Sequence, residues 1–325
     1  MEHQHPHDSH SHDDDALPEA CPRRGASEAA ALLQPLARAV EEPETRYRAH
    51  RRFDRMGRLI GDQRMARLFD AHALVIGLGG VGSFAAESLA RSGVGKLTLL
   101  DFDRVCVTNS NRQLQALKGT VGRHKAAVLA ERLREINPQA QVRPVTLFYS
   151  AETAEHILGE PAAAEAGWLG RPDYVVDAID NITAKCHLLA TCRARGLPVV
   201  SATGAAGRMD PTALAIADLA ETRVDPLALE VRKILRRKYS FPAEGRFGIP
   251  AVYSAEHPRE PVELRYDEGQ GFRCVCPGGK NDLHSCDERR LIYGTASFVT
   301  GAFGLHLASV VVRALCAEPI RGYDA

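Results

Sequence analysis

Short apolar runs alternate with amphipathic segments through the middle of the chain. The strand-length runs are 73–76, 96–100, 142–148, 174–178 and 197–202. The segments with helical spacing are 81–92, 125–136 and 184–195. Buried strands that alternate with helices are typical of a parallel sheet that is covered on both faces. The pattern therefore predicts an α/β fold with a doubly wound, Rossmann-like and mostly parallel sheet.

The flanking regions predict further elements. Residues 52–68 have the spacing of one helix, and 225–238 that of another. Two short runs, 212–217 and 251–254, predict strands in a second sheet portion, so we expect a C-terminal α+β extension.

The segment 294–312 contains no charged side chain but many Gly, Ser and Thr residues. A membrane-spanning helix needs about 20 predominantly apolar residues, so this segment is better explained as a buried helix. We therefore do not expect membrane contact.

Residues 1–45 differ in composition from the rest of the chain. Five histidines lie there among Asp, Ser and Pro: His3, His5, His7, His10 and His12. Such a segment could bind transition metals loosely, but a solvated, disordered extension is the simpler interpretation. We expect one folded domain over 46–325.

Charge and cysteine usage narrow the class of protein. The chain has 41 basic and 41 acidic residues, so a nucleic-acid partner would need a local basic patch rather than a global field. The eight cysteines are scattered, and the polar start of the chain does not resemble a signal peptide. Reduced thiols in a cytoplasmic protein are the favoured interpretation.

A glycine-rich turn follows the first predicted strand and opens a helix. Its glycines are Gly77, Gly79, Gly80 and Gly82. Glycines let the backbone approach a phosphate, and a helix N-terminus offers free N–H groups. Asp101, at the end of the second strand, is placed to bind ribose hydroxyls. This pattern alone fits NAD, FAD or ATP, and it leaves an oxidoreductase open.

Polar residues beyond the second strand favour ATP. They are Asp103, Asn109, Arg112, Gln113 and Lys125. Arg112 and Lys125 can neutralise the β- and γ-phosphates and stabilise departing pyrophosphate. A nicotinamide site does not need these cations, because the glycine turn already binds its pyrophosphate.

Asp180 and Asn181 follow the strand at 174–178. Ligands bind beyond the carboxyl ends of strands in open α/β sheets, so Asp180 can hold Mg²⁺ on the phosphates. The alternative is that Asp180 caps the next helix.

These motifs together resemble the ubiquitin-activating-enzyme-like (HesA/MoeB/ThiF) adenylating superfamily. The resemblance covers about 46–315 and includes Gly-x-Gly-Gly-x-Gly, Asp-x-Asp, Asn-x-x-Arg-Gln, Lys and Asp-Asn in this order. Four segments are more specifically similar to the tRNA threonylcarbamoyladenosine dehydratase family: 103–113, 204–211, 217–220 and 225–227.

The family resemblance implies a reaction and a set of roles. The reaction is ATP-dependent cyclisation of threonylcarbamoyladenosine beside the tRNA anticodon, through an acyl-adenylate. Arg55 matches an arginine that reaches the ATP of the partner subunit, which implies a homodimer. Arg112, Lys125 and Asp180 would be catalytic with Arg55. The nucleotide and Mg²⁺ contacts would include Gly80, Asp101, Asn109, Arg112, Gln113, Lys125 and Asp180.

Two other functions stay open at this point. One is an adenylyltransferase for a ubiquitin-like sulfur carrier, and the other is a non-enzymatic nucleotide-bound protein of a sulfur relay. Sulfur-carrier activators usually have two Cys-x-x-Cys pairs, whereas this chain has Cys274-Val-Cys276 and Cys286. That spacing disfavours structural zinc, even with His284 as a fourth ligand. A thiol there could still meet a sulfur-transfer partner.

The tRNA hypothesis has a local correlate in the C-terminal part. Arg232, Lys233, Arg236, Arg237 and Lys238 fall close together, next to Tyr239 and Phe241. Such a segment could bind phosphates and stack bases, although a solvated helix face has the same pattern. We place Arg208 near the tRNA or the acyl-adenylate.

Overall fold

The computed structural model describes residues 50–158, 170–264 and 293–324. One seven-stranded sheet with the order β3-β2-β1-β4-β5-β7-β6 is the centre of the fold. Its strands are β1 (His72–Ile76), β2 (Lys96–Leu100), β3 (Gln141–Val145), β4 (Tyr174–Asp177), β5 (Val199–Ala202), β6 (Leu214–Asp218) and β7 (Pro250–Ser254). All neighbouring pairs are parallel except β6 with β7. The order reverses between β1 and β4, where ligands bind in doubly wound folds.

Helices cover both faces of the sheet. They are α1 (Asp54–Ile60), α2 (Asp62–Asp70), α3 (Gly82–Arg91), α4 (Lys125–Ile136), α5 (Ala154–Ile157), α6 (Ile182–Ala194), α7 (Pro226–Tyr239) and α8 (Ser297–Leu315). Because successive strand residues point to opposite faces, Val75 of β1 joins the core under α2, α3, α4 and α8. Its neighbour Leu74 joins the core under α5, α6 and α7. The predicted doubly wound, mostly parallel α/β fold is confirmed.

Two details of the predicted elements are wrong. The helix expected over 52–68 is two helices, because Gly61 adopts φ +83° between α1 and α2. The strands expected in a second sheet portion are β6 and β7, and both join the main sheet. β7 pairs with β5, and Ile216 of β6 lies opposite Val252 of β7.

Helix α8 is the apolar segment that we expected to be buried. By length and composition it is the one helix of the described residues that could cross a bilayer. Of an 18-residue apolar stretch of this helix, 56% is buried inside the fold. A methyl group at Gly304 would lie 2.4 Å from the carbonyl oxygen of Val81. This close approach to the start of α3 shows that α8 packs as a core helix.

Cys186 and Cys192 on α6 are free and buried, as expected of core residues. The His-rich extension at 1–45 lies outside the described residues, and so do Cys274, Cys276, His284 and Cys286. The domain boundary at residue 45 therefore stays a prediction.

Candidate active site

The glycine-rich turn joins β1 to α3 and leaves no room for a side chain at Gly77 or at Gly82. Gly77 adopts φ +86°, and a methyl group there would lie 2.6 Å from the carbonyl oxygen of Ala178. A methyl group at Gly82 would lie 1.8 Å from the carbonyl oxygen of Gly77. The backbone of this turn is thus packed against the β4–α6 turn, and its shape requires glycine at both positions.

Asp101 ties the end of β2 to the glycine turn. Its Oδ2 accepts a hydrogen bond of 2.7 Å from the Leu78 N–H, and its Oδ1 accepts one of 2.8 Å from the Asp103 N–H. Burial raises the pKa of Asp101, while the charge of Lys125 acts in the opposite direction. The described contacts of Asp101 are therefore structural, and its predicted ribose contact stays a prediction.

Lys125 begins α4 and faces the carboxylates of the β2 end. Its Nζ donates a hydrogen bond of 2.8 Å to Asp103 Oδ2, and its side chain is only 8% exposed. Burial alone would lower the pKa of Lys125, but Asp101, Asp103 and Asp180 together raise it above its ordinary value. Lys125 is therefore a stable ammonium at the carboxyl edge of the sheet.

The segment after β2 lies directly against the glycine turn. A methyl group at Gly80 would lie 3.1 Å from Cγ of Arg112, and one at Gly79 would lie 3.9 Å from Nε2 of Gln113. The guanidinium of Arg112 donates to the carbonyl oxygen of Thr108 at 2.9 Å. The predicted phosphate-binding cations, Arg112 and Lys125, thus belong to the same edge as the turn.

Asn109 shapes this segment. It is buried, and its Oδ1 accepts a hydrogen bond of 3.0 Å from the Cys106 N–H. This bond closes the short 3₁₀ turn at Val107–Asn109 and fixes the backbone that leads to Arg112. Its predicted nucleotide contact stays a prediction.

Asp180 and Asn181 have separate positions in the β4–α6 turn. Asn181 is the N-cap of α6, since its Oδ1 accepts a hydrogen bond of 3.0 Å from the Ala184 N–H. The alternative that Asp180 caps this helix is therefore wrong. Asp180 is exposed, and its charge acts on Lys125. The described residues hold no group of three or more His, Cys, Asp or Glu side chains arranged to bind a metal ion by themselves. A single carboxylate fits Mg²⁺ that is bound mainly by phosphates and water.

Arg208 and Phe241 are both held by internal contacts. Arg208 is 2% exposed and forms a buried ion pair of 2.7 Å with Asp225, so it anchors the 204–211 loop internally. The predicted position of Arg208 near the tRNA or the acyl-adenylate stays a prediction. Phe241 is buried against Phe247 at 4.9 Å between ring centroids and does not offer a stacking surface. Arg55 is exposed on α1.

Two residues at or near the site were not predicted from the sequence. Thr300 of α8 approaches the glycine turn, since its Oγ1 would lie 3.0 Å from a methyl group at Gly80. Lys185 of α6 is fully buried and pairs with Asp177 at the end of β4. Thr300 is distant in sequence from the motifs, and Lys185, which follows Asn181 by four residues, has no local pattern that would reveal its burial.

Residues 53–322 match the profile of the ThiF family. The chain belongs to this family. A tRNA threonylcarbamoyladenosine dehydratase of Haemophilus influenzae is 40% identical over 266 residues, which are 81% of this chain and 93% of that protein. The structure of the Escherichia coli tRNA N6-threonylcarbamoyladenosine dehydratase TcdA in complex with ATP matches with a TM-score of 0.68 and 35% identity. That match covers 86% of this chain and 98% of TcdA.

A second kind of ThiF-family relative matches over a shorter stretch. The Escherichia coli molybdopterin-synthase adenylyltransferase is 40% identical over 144 residues, which are 44% of this chain and 52% of that protein. The likeness to the bacterial dehydratases therefore extends well beyond the part that this chain shares with the molybdopterin-synthase adenylyltransferase.

Proposed function

We propose that this ThiF-family protein is an ATP-dependent tRNA threonylcarbamoyladenosine dehydratase. The observation that carries the proposal is the placement of Arg112 against the glycine turn and of Lys125 beside Asp103 at the same sheet edge. The chain also matches bacterial dehydratases along nearly their whole length. Two cations at a phosphate-binding turn suit a reaction in which pyrophosphate leaves.

The first step is adenylation of the substrate. The carboxylate of the threonylcarbamoyl group attacks the α-phosphate of ATP, and the bond to pyrophosphate breaks. Lys125 and Arg112 neutralise the charge that develops on the leaving group. When bound, Mg²⁺ would offset phosphate charge, and Asp180 is the residue that would hold it.

The second step closes the ring. The ureido group of the same side chain attacks the adenylated carbonyl, and AMP leaves with one oxygen of the original carboxylate. Water is thereby lost from the nucleoside. Because the nucleophile belongs to the substrate, the enzyme has mainly to hold the two groups in position, and no cysteine nucleophile is needed.

We infer that the enzyme acts as a homodimer and that Arg55 reaches the ATP of the partner subunit. Arg55 is exposed on α1, so its guanidinium is available to a second copy of the chain. A third cation there would add to Arg112 and Lys125 in stabilising pyrophosphate.

The tRNA would contact α7. Within its basic cluster, Arg232 and Arg236 bond to the carbonyl oxygens of Thr222 and Pro242, respectively. The outward cations are Lys233, Arg237 and Lys238. They offer a local patch for phosphates on a chain of zero net charge. The described cysteines are free thiols, which suits the cytoplasm, where we place the enzyme.

The decisive experiment supplies the protein with Mg·ATP and tRNA that bears threonylcarbamoyladenosine. Mass spectrometry of the digested nucleosides should show loss of one water from that nucleoside, together with release of AMP. An unchanged nucleoside, with AMP release driven instead by a carrier protein that ends in Gly-Gly, would assign the protein to sulfur-carrier activation.

A further inference from the structure

Lys185 is a buried lysine whose ammonium is fully engaged. It lies on α6 and is 1% exposed. Its Nζ donates to Asp177 Oδ2 at 2.5 Å, to the carbonyl oxygen of Ala202 at 3.0 Å and to Ser201 Oγ at 3.3 Å. The three donors of the ammonium thus match three acceptors on β4 and β5.

Asp177 connects this lysine to the β4–α6 turn. Its Oδ2 also accepts a hydrogen bond of 2.7 Å from the Ser201 hydroxyl. Its Oδ1 accepts one of 3.1 Å from the Ile179 N–H. One carboxylate therefore links β5 and α6 to the residue that precedes Asp180.

The turn itself is fixed on both sides of Asp180. Ala178 lies against Gly77, and its N–H donates to the carbonyl oxygen of Ile76 at 2.9 Å. Asn181 begins α6 by capping it. The backbone of Asp180 is thus held between the Asp177-bound Ile179 and the capped helix, while its carboxylate is exposed.

Stability alone does not explain a charged pair at this depth. Removing two charges from water is expensive, and an apolar pair of similar volume often gives equal or greater stability. A buried pair does fix geometry, because its hydrogen bonds are directional and its partners cannot rotate away without losing compensation.

We infer that Lys185, Asp177 and Ser201 form a positioning network that fixes where the Asp180 carboxylate lies at the carboxyl edge of the sheet. The inference rests on the proposed function, in which Asp180 holds Mg²⁺ on ATP. The three residues do not contact the substrate in this role. They act through the turn, and a displacement of about 1 Å in such a group can lower a rate by about 10²-fold.

The test uses the double variant Lys185→Met/Asp177→Asn, which removes both buried charges at nearly constant volume. The affinity for ATP is measured with and without Mg²⁺, beside kcat and the KM for tRNA. We expect ATP affinity without Mg²⁺ to stay within about 3-fold of the wild type. We expect the gain in affinity that Mg²⁺ provides to fall by at least about 10-fold and kcat to fall by about 10- to 100-fold, with little change in the KM for tRNA.

Cys192→Ala is the matched control. Cys192 is buried on the same helix, so its truncation loosens α6 without removing a hydrogen bond of the network. Its melting temperature should fall while the Mg²⁺ dependence stays that of the wild type. Should the double variant fail to fold, Ser201→Ala removes one hydroxyl only and should shift the Mg²⁺ dependence in the same direction, by about 3-fold.

The inference is overturned if a folded double variant, or Ser201→Ala in its place, keeps the Mg²⁺ dependence and kcat of the wild type. An equal loss in Cys192→Ala would also overturn it, because the effect would then be general loosening of the helix. A wild type that binds Mg·ATP but does not dehydrate the tRNA contradicts the proposed function instead. The Mg²⁺ dependence of ATP binding still tests the network in that case.

Discussion

Lys125 Nζ lies 2.8 Å from Asp103 Oδ2, with the ammonium almost buried and the carboxylate 39% exposed. The pair joins the start of α4 to the end of β2. Because Asp103 keeps access to water, it can be rehydrated when Lys125 is removed, and the buried Asp101 keeps its two hydrogen bonds from backbone N–H groups.

Lys125→Ala should therefore fold and lose catalysis. We expect kcat for dehydration of the modified tRNA to fall by about 10²- to 10³-fold, because the cation that neutralises departing pyrophosphate is gone. Nucleoside mass spectrometry over a time course measures the loss. Lys118 is an exposed lysine between Arg112 and Lys125, and Lys118→Ala should keep the wild-type rate. A fully active Lys125→Ala variant would refute the role given to this lysine.

Gly82→Ala should damage the nucleotide turn. The added methyl group would overlap the carbonyl oxygen of Gly77, so the backbone has to move. We expect the free energy of unfolding to fall by about 1–3 kcal/mol and ATP affinity to drop by at least about 10-fold. Urea denaturation and calorimetric titration with ATP measure the two effects. In Gly119→Ala the methyl group meets no atom within 4 Å. The free energy of unfolding and the ATP affinity of this variant should equal those of the wild type. Equal behaviour of the two variants would contradict the packing argument.

His72 should make the fold sensitive to mild acid. Burial lowers the pKa of His72 to about 4, against an ordinary value of 6.5. The unfolded chain therefore takes up a proton first, and stability falls as the pH drops from 6.5 towards 4. Between pH 7 and pH 5 this residue should cost about 2 kcal/mol of unfolding free energy. Denaturation curves at several pH values should show that the unfolding free energy of His72→Gln falls less steeply with decreasing pH than that of the wild type. An identical slope would contradict the role of His72 in acid sensitivity.

Arg237→Ala/Lys238→Ala should weaken tRNA binding through its salt-dependent part. Both side chains are exposed on α7. If each contacts a phosphate, the slope of log affinity against log salt should decrease in magnitude by about 1 per cation. Filter binding at several salt concentrations gives this slope. Arg321→Ala is the control. Arg321 is exposed and follows Ile320, which packs in the core on the opposite face of the sheet from α7. Unchanged slopes in the double variant would move the tRNA surface away from α7.

Arg55→Ala and Lys125→Ala should complement each other if Arg55 acts across a dimer. Each homodimer would lack one cation at both sites, whereas a mixed dimer has one intact site. An equal, randomly exchanged mixture should therefore regain about a quarter of the wild-type activity. Dehydration assays before and after subunit exchange measure the recovery. No recovery, with dimers verified by light scattering, would place Arg55 in its own subunit's site or outside catalysis.

Local sequence signals predicted the elements around the site well. Helix α4 has the predicted bounds, because Lys125 starts an apolar repeat that ends before Asn137-Pro138. The break at Gly61 was missed, since the apolar spacing continues through it and only the positive φ separates α1 from α2. The strands β6 and β7 were found, but their sheet was not, because pairing partners depend on long-range packing.

The candidate site was predictable in its residue types and less so in its contacts. The glycines and the cations Arg112 and Lys125 follow from the chemistry of a triphosphate. Whether Asp180 or Asn181 caps α6 depends on the residue at which the helix starts, and sequence patterns do not locate a helix end to within one residue. Lys185 was overlooked because a lysine within a helix is nearly always solvated, and its acceptors come from two separate strands.

The packing of Thr300 against Gly80 has a consequence for how the protein matures. The glycine turn leaves the ribosome long before α8, which closes over the turn and over the start of α3. A nascent chain that has completed its first βαβ unit still exposes the apolar face that α8 will cover. During synthesis the glycine turn therefore reaches its final packing only after α8 has emerged.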